Sequence, residues 1–294
     1  MRRRGILCLS LLLLPASSAS AFECTVGKTC LVSPRWATRE ATFRVEAPPP
    51  GSPLTHDELR AVTRRAFARW SDVPCTDLVL REDERSANVV RVALDEWRGR
   101  PGEAALTHVR FDSLRGDLRT ATIDLNLVHH TFAAEACEPG ALDLELVLTH
   151  EVGHFIGLAH PCEFDDEGTI MEPEGDGEHE PCPVESCDAL VSSRGGVPAT
   201  VLWPHVSTCA ELPAVRELGG DDVAGLCSIY PRDAAPAPCV ELPLQEEPYI
   251  ENVPFGCSAG GGGSGLMSLL WALGSASLVA RRRARAASLR GGAR

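Results

Sequence analysis

The stretch HEVGHFIGLAH, residues 150–160, decides the reading of this chain. His150 and His154 are four apart, so on a helix they lie on one face, one turn apart. Two imidazoles so placed reach a single metal ion. Glu151 lies beside that line and can lean over an open coordination position to hold a water. Gly157 permits positive φ and ends the helix sharply. The chain can then turn and bring His160 round as a third ligand. Three protein ligands plus water is the arrangement of a catalytic zinc, whereas a structural zinc is closed by four.

Around this motif, the segment from about Leu142 to Gly157 reads as one helix. An earlier helix starts at Thr55, where Thr55 and Glu58 form a capping box. In THDELRAVTRRAFARW, Leu59, Val62, Ala66, Phe67 and Trp70 share one face, and Arg60, Arg64, Arg65 and Arg69 form an opposite, solvated one. Extended segments are expected at 41–46, 76–80 and 88–94. ATIDLNL (121–127) alternates Ile123, Leu125 and Leu127 with Asp124 and Asn126, as a strand with one buried face does. A third helix is expected over Asp221 to Tyr230. There is no internal repeat.

The ends read as addresses. Residues 1–21 carry three arginines, an apolar run to Leu14, Pro15, and small residues at Ala19 and Ala21. This is the pattern of a secretory signal peptide cut before Phe22. Residues 233–256 are rich in Pro and Glu and read as a linker. Residues 257–294 run from Cys257 through a glycine-rich hinge and an apolar stretch to an arginine cluster. That order resembles the MYXO-CTERM sorting signal of myxobacterial surface proteins, which implies processing near Cys257 and placement at the cell surface. The alternative is a single-pass tail anchor, and either reading makes the chain exported and at least transiently membrane-tethered.

The 294 residues are 44% apolar and 23% charged, ordinary for a chain that buries a core. The net charge is −13, but the two ends carry nine of the 28 basic residues and none of the 41 acids. Residues 22–256 therefore hold 19 basic and 41 acidic side chains, a net of −22. A charge of that sign excludes a nucleic-acid binder, which needs a basic face. Of twelve cysteines, Cys8 and Cys257 belong to the ends. The remaining ten, in an exported chain, read as disulfides whose pairing the sequence does not give.

HEVGHFIGLAH, together with Thr169-Ile170-Met171-Glu172-Pro173 shortly after His160, resembles the metzincin metalloproteases, and the matrixin branch most closely. The resemblance runs from about Arg35 to Pro231 and takes in AFARWSDV, ATIDLNL and LGGDDVAGLCSIYP. It implies an α+β zincin catalytic domain over residues 22–232: a twisted mixed sheet with an antiparallel edge strand, and three helices, braced by disulfides. Ala121 to Leu127 is the expected edge, where a peptide would add by main-chain pairing.

The resemblance also implies zinc held by His150, His154 and His160, and Glu151 as general base. It makes Gly157 the helix-ending turn and Met171 the methionine beneath the metal (the Met-turn). Glu172 stands where matrixins usually have Tyr. The expected activity is that of an exported, surface-tethered zinc endopeptidase acting on peptides or proteins. The competing readings are a zinc-binding adhesion protein without turnover and a hydrolase of small peptides or amides. Calcium is a possible further ion, with the acids from Asp165 to Glu180 as candidate oxygen ligands. His129 and His130 read as a polar strand end rather than a second zinc site. No PRCGxPD-like segment occurs, so latency through a pro-segment cysteine is not expected.

Overall fold

The structure is a computed structural model. It describes residues 34–112, 115–135, 139–160, 200–202 and 216–235, with strand backbones at 23–24, 163–164, 170–171, 205–207 and 250–260. Five strands form the body of one sheet: β1 (Glu40–Val45), β2 (Val79–Glu82), β3 (Val89–Ala93), β4 (Glu103–Asp112) and β5 (Leu118–Asn126). Two later strands, β6 (His205–Ser207) and β7 (Ile250–Gly260), extend it to the order β6-β7-β4-β5-β3-β1-β2. The end of the stretch that reads as a linker, from Ile250 onward, thus lies in β7. β1 pairs parallel with β2 and β3, and β3 pairs parallel with β5. Within the body, β4 is the strand that runs antiparallel, beside β5. The described residues also form three longer helices: α1 (His56–Ser71), α2 (Leu144–Phe155) and α3 (Gly220–Ile229). This is the α+β arrangement expected from the sequence, with a mixed sheet and an antiparallel strand at the edge of its body.

Which strand takes that edge is corrected. Residues 121–126 fall in β5, which is internal, and the antiparallel strand is β4. Alternation reports which face of a sheet is buried and says nothing about lateral position. In β5 the inward Ala121, Ile123 and Leu125 are fully buried. Its outward Asp124 binds Arg91 on the neighbouring strand. β4 escapes the pattern because EAALTHVRFD buries Ala104, Ala105, Leu106 and Thr107 in a row. A run buried on both faces has no period of two.

Helix α1 begins where the capping box puts it. Thr55 accepts from the Glu58 amide at 3.2 Å, and Glu58 accepts from the Thr55 amide at 2.8 Å. Its face of Leu59, Val62, Ala66, Phe67 and Trp70 is buried in the core. Each large side chain among them contributes about 1.5–3 kcal/mol on burial. The arginine face is not simply solvated. Arg60 and Arg64 both reach Glu82, and Arg65 and Arg69 both reach Glu145, which is only 2% exposed. α1 is thereby clamped to β2 on one side and to the first turn of α2 on the other.

Helix α2 starts at Asp143, whose carboxylate accepts from the Leu146 amide at 3.1 Å. It is buried nearly all round and takes its place inside the domain rather than on its surface. Polar aromatic tips fix it along its length. The Trp70 indole donates to the Thr149 carbonyl at 2.9 Å, and the Trp36 indole to the Phe155 carbonyl at 3.0 Å. The Tyr230 hydroxyl donates to the Ile156 carbonyl at 2.8 Å. A disulfide, Cys75–Cys227, ties the chain beyond α1 to α3 across 152 residues. Among the described residues, no helix is long and apolar enough to cross a membrane.

Candidate metal centre

α2 carries His150, Glu151 and His154, all fully buried. Between the two histidines lies Gly153. A Cβ there would press into the Leu202 side chain and come within 3.0 Å of the Trp70 ring. The chain reverses at Gly157, whose φ of +101° lies in the left-handed region that favours glycine. A side chain at this position would also collide with the Pro34 carbonyl oxygen. The reversal feeds Leu158 and Ala159 into a short pairing with Glu23 and Cys24, and delivers His160 back to α2.

The three Nε2 atoms then converge. His150 lies 3.0 Å from His154 and 3.0 Å from His160, and His154 lies 3.1 Å from His160. Nitrogens bound tetrahedrally at about 2.0–2.1 Å to one zinc stand about 3.3 Å apart, so this triangle needs only a slight expansion to hold the ion. The opposite ring nitrogens of the helical pair are engaged. His150 Nδ1 donates to the Val201 carbonyl at 2.8 Å, and His154 Nδ1 donates to the Leu158 carbonyl at 2.8 Å. This leaves each Nε2 with its lone pair toward the centre, the tautomer a metal needs. Burial pushes His150 down to about 4 and His154 well below the ordinary histidine range, so both rings are neutral near pH 7. Neutral ligands in a triangle of this size fit zinc. Among the described residues, these three are the group of His, Cys, Asp and Glu assembled closely enough to hold an ion. His130 is elsewhere, its ring against the Pro101 carbonyl at 3.0 Å.

Glu151 is placed by β4. The Thr107 hydroxyl donates to its carboxylate, and Thr107 is itself fully buried. Sequence reasoning misses Thr107 because it misses the strand that carries it. It also misses how His150 is held. Val201, whose carbonyl accepts the hydrogen bond from the His150 imidazole, sits in a buried turn, Thr200–Leu202. Asp222 of α3 accepts from the Val201 amide at 2.9 Å, from the Gly219 amide at 2.6 Å, and from the Thr200 hydroxyl. Burial pushes the Asp222 carboxyl up to about 6, against the pull of those donors. Leu202 packs against Gly153. One signal points to this turn: Leu202 precedes Pro204 by two, as Met171 precedes Pro173.

Met171 lies in a two-residue strand with Ile170, paired with Glu163–Phe164, and its side chain is outside the described residues. The acids from Asp165 to Glu180, the leader at 1–21 and the apolar, arginine-rich part of the tail lie outside them too.

The profile of the matrixin family (peptidase M10) matches residues 35–183, half of the chain. Metalloendoproteinase 2-MMP of Arabidopsis thaliana is 31% identical over 153 residues, 48% of this chain and 37% of that protein. Metalloendoproteinase 1-MMP of the same plant is 29% identical over 149 residues, 48% of this chain and 38% of the relative. Human matrix metalloproteinase-19 is 32% identical over 130 residues, 43% of this chain and 24% of the relative. The matched stretch thus spans less than two fifths of each of these relatives.

Proposed function

The chain belongs to the matrixin family of zinc metallopeptidases, and we propose that it is a zinc-dependent endopeptidase acting on peptides or proteins. The observation that carries the reading is the triangle of three histidine Nε2 atoms with Glu151 beside it on the same helix. His150, His154 and His160 hold the metal. Zinc, when bound, supplies a Lewis acid that lowers the pKa of water and polarises a carbonyl. Glu151 accepts the proton of the attacking water and returns it to the departing amine. Thr107 fixes the Glu151 carboxylate so that it does not have to search for this position. The backbones of Val201 and Leu158 hold the first two imidazoles in one tautomer and one orientation.

The substrate's main chain adds alongside β4, the antiparallel strand whose Thr107 touches the base. Export by the leader and a surface tether through the tail complete the proposal. They are supported by the arginines, the apolar runs and the even number of cysteines between the ends. The test is incubation of the purified protein with a denatured protein substrate, with and without a zinc chelator. Cleavage that the chelator abolishes and added zinc restores is the expected result. Zinc bound stoichiometrically with no cleavage would move the protein to the non-catalytic, adhesive reading.

A further inference from the structure

If a substrate peptide adds to β4, it meets a strand already there. β7 pairs antiparallel with β4 over nine positions, from Ile250 opposite Asp112 to Ser258 opposite Glu103. Phe255 stands opposite Thr107, the residue whose hydroxyl holds Glu151. The chain's own segment therefore lies on the lateral side of β4, level with the candidate base. The β4 amides and carbonyls that would recognise a peptide main chain point either to β5 or to β7. Along residues 103–112, β4 offers a substrate a ladder only when β7 has left.

Resting on the reading of this site as an endopeptidase, we propose that β7 is an intramolecular competitor of the substrate. The enzyme is held partly closed by its own C-terminal strand, and substrate enters when that strand leaves. Three features make the occupant displaceable. Pro254, opposite His108, has no amide hydrogen to give to a ladder. The register slips between Cys257 and Ser258, which breaks the regular pairing. On its far side β7 is backed by β6, which is only three residues long. The attachment favours closure in turn. Segment 236–249 joins β7 to the body and gives the strand an effective concentration on the order of millimolar. A competitor at that concentration raises the apparent KM by the reciprocal of the open fraction and leaves kcat alone.

The test uses the full chain. Asn252→Pro with Val253→Pro removes two successive amide donors. In an antiparallel pair one of two neighbours always faces the partner, so one substitution must strike the ladder to β4. Hydrolysis of a fluorogenic peptide is compared with the parent, alongside zinc content and thermal unfolding. The expected result is a KM lower by about tenfold with kcat and zinc content unchanged. A free peptide of residues 250–260, carrying Cys257→Ser so that it has no thiol to bind zinc, should then inhibit the variant competitively. The peptide experiment also works on the parent protein, where its inhibition should be weaker, so a variant that misfolds does not remove the test. An unchanged KM with no inhibition by the peptide overturns the self-occupancy. Absence of chelator-sensitive hydrolysis in parent and variant alike overturns the endopeptidase reading itself.

Discussion

Among single residues, Glu151 matters most through how few freedoms it retains. A general base works best when its carboxylate already faces the water it will deprotonate. Here the Thr107 hydroxyl, reaching from β4 to α2, contributes to that orientation by donating to the carboxylate. Thr107→Val keeps the shape and removes the donor. We expect kcat to fall about tenfold with KM and zinc content unchanged, and Thr107→Ser to restore most of it; steady-state kinetics with metal analysis check this. The candidate metal ligands are legible in the sequence because the chemistry of such a site fixes their spacing: i, i+4, then a glycine and a return. Thr107 is not, because a contact between a strand and a helix 44 residues apart leaves no periodic trace. The same holds for Val201, which serves His150 through its backbone alone.

One level up, the site is a helix held between a strand and a turn. The start of α1 is legible from its capping box, and the reversal after α2 from Gly157, since both are local. The position of β5 inside the sheet is not, because lateral order is decided by pairing partners distant in sequence. The arginines of α1 look solvated in sequence because their partners, Glu82 and Glu145, lie on other elements. The turn Thr200–Leu202 depends on Asp222 of α3, which gathers the amides of Val201, Leu202 and Gly219 and the Thr200 hydroxyl. Asp222→Ala would strand those buried donors, at a cost of about 1–3 kcal/mol each at most. It would also loosen the carbonyl that orients His150. We expect zinc affinity to fall by about 10–100-fold, measured by competition with a chromogenic chelator. An affinity equal to the parent's would show that His150 is oriented without this clamp.

Across the described residues, two devices join parts distant in sequence around the candidate metal centre: the Cys75–Cys227 disulfide and the ion cluster on Glu145. Burial alone would raise the Glu145 carboxyl, but hydrogen bonds from Arg65 and Arg69 outweigh it and hold the group below its ordinary value. An acid whose folded pKa is depressed binds fewer protons when folded. Its contribution is complete above the unfolded value, near 4.5, and is lost as pH falls through the folded one. Thermal unfolding followed from pH 7 to pH 3 should therefore show Tm falling through the acid range, first as the unfolded chain protonates histidines that are buried neutral in the fold, and then with a component below about pH 4.5 that Glu145→Gln removes. Composition makes a buried core legible, and the export signals suggest disulfides, but which cysteines meet is set by the fold. The catalytic reading stands on one assignment, that Glu151 is the base and the three histidines are the ligands. The direct measurement is Glu151→Ala, assayed in a single preparation for bound zinc and for cleavage of denatured protein. Zinc at the parent's stoichiometry and no cleavage is the expected result. Cleavage at the parent's rate would contradict it.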